Sequence, residues 1–228
     1  VAQIGTLNEG TLHRQLKALI AEPGDRFEVA LGGYVIDIVR GERLIEIQTG
    51  PLGPLGAKLD ALLDARPVTI VHPIAVRTWL HVEGRPTRRS PIRRGVHHVF
   101  HELVSIPTLL DHPNLRLELV LIEEDVHRRR DPSLRRRLGG WRTLGRAIWC
   151  VVERTVLTSA CDLARLLPPE LPEPFTTRDL ARGAGIPREL AQRMAYCLRA
   201  LGRIEEAGRS RAGVRYKLAS GRPRCDPG

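Results

Sequence analysis

Asp37 and Glu46 are the residues of this sequence best placed to do chemistry. They lie in the run Tyr34-Val-Ile-Asp-Ile-Val-Arg40, Gly41-Glu42, Arg43-Leu-Ile-Glu-Ile-Gln48. A two-residue loop that begins with glycine suits a type II′ hairpin, and Gly41-Glu42 in that role sets Ile38 opposite Ile45 and Asp37 opposite Glu46. The two carboxylates then stand with Cβ atoms about 5 Å apart, among Val35, Val39 and Leu44. The other face carries Ile36, Ile38, Ile45 and Ile47. Like charges opposed on a partly apolar face call for a proton or a cation between them. Mg²⁺ or Mn²⁺ held by Asp37, Glu46 and the Ile47 backbone carbonyl answers that need, keeps several waters and accepts a phosphate oxygen. A metal-bound water with a lowered pKa is a nucleophile for phosphodiester hydrolysis. The competing reading puts either carboxylate on a solvated edge or against an arginine.

The elements that must position this pair follow from periodicity. Asn8 caps a helix over 9–20, with Leu12, Leu16, Leu19 and Ile20 on one face and Glu9, His13 and Lys17 on another. Strands are expected at 27–31, 34–40 and 43–48, a helix at 54–65 and an apolar strand at 68–74. Strand, helix, strand in that order makes 43–48 and 68–74 parallel. The alternating Leu115, Leu117, Leu119 and Leu121 read as a further strand, and 145–167 as a long helix. The fold class expected is α/β, a mixed sheet flanked by helices over residues 1–140. A second domain over 141–228 follows, with the proline run 168–174 as a linker-like connection.

This order of a helix with Glu9, a strand with Asp37, Glu46-x-Gln48 on the next strand, a helix and a parallel strand resembles the PD-(D/E)XK, or restriction-endonuclease-like, nuclease superfamily over residues 7–76. The resemblance implies that Asp37 and Glu46 are metal ligands with the Ile47 carbonyl, and that Glu9 is an added helix carboxylate. It also puts Gln48 at the usual lysine position. Glutamine there is neutral and offers hydrogen bonds only, so the cation that lysine would supply must come from elsewhere. Lys58, one turn into the following helix, could supply it, the alternative being a solvent-facing lysine.

The chain has 228 residues with a net charge of +10. Residues 1–80 are near neutral, and the whole excess lies in the middle and the C-terminus. That distribution points to an acidic polymer, with DNA favoured over RNA. Arg85, Arg88, Arg89, Arg93 and Arg94 are the expected backbone clamp, and Arg128–Arg130 and Arg135–Arg137 form two more clusters. In the C-terminal part, Thr177 caps a short helix, Pro187 starts a second one through Leu201, and a hairpin follows. This is similar to a winged helix-turn-helix. Arg188, Gln192, Arg193, Tyr196 and Arg199 then face outward, with Arg209 and Arg211 on the wing. Winged helices also serve as protein-binding modules, so a regulator or an adaptor in a larger assembly is the alternative to a nuclease, and a homodimer fits either.

His97 and His101 stand four apart without a third ligand nearby, which favours packing over metal binding. The Gly50–Lys58 stretch does not fit a phosphate loop. No run reaches the roughly 20 apolar residues of a membrane span, and the four cysteines form no C-x-x-C pair. A cytoplasmic protein with no membrane partner is the expectation.

Overall fold

The computed structural model describes residues 10–134, 140–211 and 213–219. These divide between two compact units, one drawn from 1–50, 68–96 and 118–155 and the other from 51–67, 97–117 and 156–228. Asn8 and Glu9 lie outside the described residues, as do Arg135, Arg136 and Arg137.

The first unit contains α1 (Thr11–Ile20), β1 (Arg26–Leu31), β2 (Tyr34–Arg40), β3 (Arg43–Ile47), β4 (Val68–Val82), β5 (Arg88–Arg89), and most of β6 (Leu115–Arg130) and β7 (Trp141–Leu157). The strands form one mixed sheet in the order β1-β2-β3-β4-β6-β7, with β5 added to the end of β4. Gly41 has φ +56 while Glu42 does not adopt a positive φ, as a hairpin led by glycine requires. Arg40 therefore faces Arg43, Val39 faces Leu44 and Ile38 faces Ile45, as the spacing predicts. β3 and β4 are parallel, from Leu44 beside Val68 to Ile47 beside Val71.

Helix α1 forms because Leu12, Leu16 and Ile20 recur every four residues and bury together. They pack on Ile38, Ile45 and Ile47 of the hairpin, Val71 and Ala75 of β4, and Val120 and Ile122 of β6. Each such side chain contributes about 1.5–3 kcal/mol of burial. This core fixes which edge of α1 lies over Asp37.

The long helix expected at 145–167 does not form. Trp141–Leu157 is a strand at the edge of the sheet, and only Ala160–Ala164 (α4) is helical. The segment is rich in Val, Thr, Ile and Trp, whose branched or aromatic side chains favour a pleated surface. Two arginines on β7 also neutralise buried carboxylates of β6. Arg146 Nε donates to Glu124 at 2.8 Å and Arg154 Nε to Glu118 at 2.7 Å. A helix would leave both acids buried without those partners.

The second unit contains α2 (Gly56–Leu62), α3 (Val99–Leu103), α4, β8 (Phe175–Thr176), α5 (Thr177–Ala184), α6 (Arg188–Ala200), β9 (Ile204–Ser210) and β10 (Gly213–Leu218). β8, β10 and β9 form a three-stranded antiparallel sheet in that order. The N-cap of α5 is Thr176 rather than Thr177: its hydroxyl accepts from the Asp179 amide, and the Asp179 carboxylate returns the bond to the Thr176 amide at 2.9 Å. Gly185 ends α5 in the left-handed conformation. Leu190, Met194, Cys197 and Leu198 make the buried face of α6. Among the described residues, no helix is long and apolar enough to cross a membrane.

Candidate functional site

The β2–β3 ladder stops at Ile38 and Ile45. Beyond it the Ile47 amide donates to the Asp37 carboxylate at 2.8 Å instead of to a backbone carbonyl of β2. A side chain thus takes over one rung where the two strands end their pairing. Two basic side chains of α1 face the same carboxylate, with His13 Nε2 at 3.4 Å and Lys17 Nζ at 3.6 Å. Lys17 also pairs with Glu28 of β1. Glu28 takes φ +52, a conformation costly for a residue with a Cβ, and interrupts the β1–β2 ladder beside Asp37. Burial by itself would raise the Asp37 pKa. The bond from His13, the Ile47 amide and the charges of His13 and Lys17 outweigh it and hold the carboxyl below its ordinary value.

Glu46 lies on β3 beside Ile70 of β4 and is buried. Gln48 follows at the end of β3 and is held from both sides by β4. Its amide donates to the Val71 carbonyl at 2.9 Å, and its carbonyl accepts from His72 Nδ1 at 2.8 Å. The backbone at the motif's third position is therefore rigid. The expected cation near Asp37 is present as protein side chains, supplied by α1. His13 and Lys17 stand four apart on the polar face of that helix, a visible signal whose target only the packing of α1 identifies. Lys58 belongs to the other unit.

Among the described residues, no cluster of three or more His, Cys, Asp or Glu side chains is arranged to hold a metal ion by itself. The expected facing of Asp37 and Glu46 lies beyond the β2–β3 register, which ends at Ile38 and Ile45: Asp37 is met by the Ile47 amide, His13 and Lys17, while Glu46 stands beside Ile70 of β4.

The residues 10–158 match a family described as a domain of unknown function, DUF8091. The chain belongs to DUF8091. The match begins just before α1 and ends just after β7, so it contains the Asp37 centre and the whole seven-stranded sheet. The DUF8091 chain is also 33% identical over 190 residues to an uncharacterised protein of Treponema pallidum (strain Nichols), covering 80% of this chain and 76% of the relative. That coverage exceeds the family match and takes in part of the chain outside it. No solved structure matches.

The expected nucleic-acid contacts are exposed except Arg193, which is half-buried. Arg88 and Arg89 form β5, where successive side chains point to opposite faces of the sheet. Arg85, Arg93 and Arg94 are exposed, and Arg85 lies 5.4 Å from the Trp141 ring centre. On α6, Arg188, Gln192 and Tyr196 form an exposed stripe at four-residue spacing, while Arg193 pairs with Glu189 and Arg199 with Glu206. Arg209 and Arg211 are exposed at the tip of the β9–β10 hairpin. His97 Nε2 donates to the Leu166 carbonyl at 2.9 Å, and the His98 and His101 rings stand 5.6 Å apart. These histidines serve packing.

Proposed function

We propose that this DUF8091 protein is a divalent-metal-dependent nuclease acting on phosphodiester bonds, with DNA the favoured substrate. The observation that carries the reading is the convergence on Asp37 of a cation from α1, where the motif itself has neutral Gln48. The order α1-β1-β2-β3-α2-β4, with β3 parallel to β4, supports a restriction-endonuclease-like core. Asp37 and Glu46 would hold Mg²⁺ or Mn²⁺, which supplies Lewis-acid charge and an acidified water when bound. Lys17 contributes positive charge beside the reacting phosphate, His13 fixes the Asp37 carboxylate, and Gln48 offers hydrogen bonds from a rigid backbone. The exposed stripe of α6 and the β9–β10 tip would dock the nucleic acid in the manner of a winged helix.

Purified protein with Mn²⁺ is expected to cut DNA. Asp37→Ala and Glu46→Ala each lower that cutting by about a hundredfold or more with binding retained, consistent with losing a group that acts in the transition state. Unchanged cutting in both variants excludes this centre. A second reading is favoured by the cations that already balance Asp37: a nuclease-like fold retained in a non-catalytic nucleic-acid-binding regulator or adaptor. It predicts salt-sensitive binding, no Mn²⁺ uptake and no cutting.

A further inference from the structure

At the other end of β4, a cleft of about 390 Å³ opens beside His81, His127, Thr87, Arg85, Arg128 and Arg129. All of these residues belong to the first unit. We propose that this cleft binds a phosphate monoester, carried by a nucleotide or by the end of a polynucleotide. It is independent of the reading at Asp37.

Three arginines reach the cleft without a carboxylate partner among the described residues. Elsewhere in the same sheet Arg40, Arg77, Arg142, Arg146 and Arg154 are each paired with an acid. The Nε of Arg128 is enclosed and has no hydrogen-bond partner among the described residues. A buried donor left unmade costs about 1–3 kcal/mol, so Arg128 is held at the cleft wall at a cost to the free protein. Arginine forks match phosphate oxygens, and a terminal phosphate offers more oxygens and more charge than a diester. Glu83 is the acidic side chain on the wall, so the lining remains cationic.

The imidazoles are arranged to receive an anion as well. His81 Nε2 bonds to Asp125, and Thr87 Oγ1 stands 3.1 Å from His81 Nδ1. Asp125 and Thr87 thus hold the two ring nitrogens of His81. His81 is thereby a fixed plane, on which exposed His127 stacks with ring centres 4.5 Å apart. His127 lines the cleft beside it. The volume exceeds what a phosphate group fills and falls within the range of small-ligand sites of about 300–1,000 Å³. The ester's alcohol portion has room there.

The full chain is titrated calorimetrically with adenosine 5′-monophosphate and adenosine, and with one short single-stranded oligonucleotide carrying a 5′-phosphate or a 5′-hydroxyl. The phosphorylated member of at least one pair is expected to bind about tenfold or more tightly, the effect of charge-assisted hydrogen bonds to arginine. A preference confined to the mononucleotide pair identifies a small ligand, and one confined to the oligonucleotide pair identifies a polynucleotide end. Arg129→Gln, at an exposed position that folding tolerates, and Arg128→Gln should each reduce the preference severalfold, and Asp37→Asn should leave it intact. Equal affinities within both pairs overturn the proposal, as does a preference that survives the double Arg128→Gln/Arg129→Gln variant. Loss of the preference in Asp37→Asn would move the phosphate to the other end of β4 and overturn it equally.

Discussion

The two ends of β4 carry opposite electrostatic designs. At the first, Asp37 and buried Glu46 bring negative charge to the sheet, and His13 and Lys17 balance Asp37 from α1. At the second, Arg85, Arg128 and Arg129 gather around His81 and His127 with no acid paired to the arginines among the described residues. Net charge does not separate these cases. A charge balanced within the protein contributes to the fold and must be released before it acts on a ligand. An unbalanced charge repels its neighbours in the free protein and gains a partner only on binding.

The contrast breaks most visibly at Lys17. Lys17→Met is expected to lower DNA cutting by about a hundredfold while leaving DNA binding within a fewfold, because it removes positive charge from the reacting centre and not from the exposed arginines. Single-turnover cleavage and a filter-binding assay separate the two, and equal loss in both would assign Lys17 to docking.

Balanced arginines should matter most to stability. Arg146→Ala leaves buried Glu124 with Thr78 as its hydrogen-bond partner, and is expected to destabilise the protein by about 2–4 kcal/mol in urea unfolding. Arg129→Ala, at the unbalanced end, should change stability by less than about 0.5 kcal/mol. Similar losses for both would remove the distinction.

A smaller effect is expected at the helix cap of the other unit. Thr176→Ala removes the hydroxyl's bonds with Asp179 while the backbone amide keeps its own, and costs about 1 kcal/mol.

The pH response sharpens the picture further. The bond from Arg40, with its charge and the Glu22 amide, outweighs burial and holds Asp25 below the ordinary carboxylate pKa. A depressed carboxylate stabilises the fold above its unfolded pKa and loses that contribution as pH falls through the folded value. Arg40→Gln should therefore raise the Asp25 pKa and move acid unfolding to higher pH, followed by circular dichroism. An unchanged acid midpoint would mean that Arg40 binds Asp25 without stabilising the fold.

How far these sites are legible in the chain depends on sequence distance. The Asp37–Glu46 hairpin is readable because its loop is two residues long, so turn chemistry sets the pairing from Ile38–Ile45 outward. The two helices and hairpin of 177–218 are readable for the same reason, with caps and breakers beside them. The expected helix at 145–167 failed because its apolar residues fit more than one period when read alone. Pairing with Glu118 and Glu124, more than twenty residues away, selects the strand.

His13 and Lys17 show their four-residue spacing but not their target, Thr87 carries no local mark of function, and the convergence of His81 with Asp125 spans 44 positions. Sequence spacing established the β2–β3 hairpin, the buried face of α1 and the uneven distribution of arginine, because each depends on neighbours within one turn or one hairpin or on composition alone. Only the packed sheet decided which cations meet Asp37 and which arginines stay unpaired at the far end of β4. Those outcomes depend on the register of α1, β4 and β6, which the chain acquires through burial of a shared core.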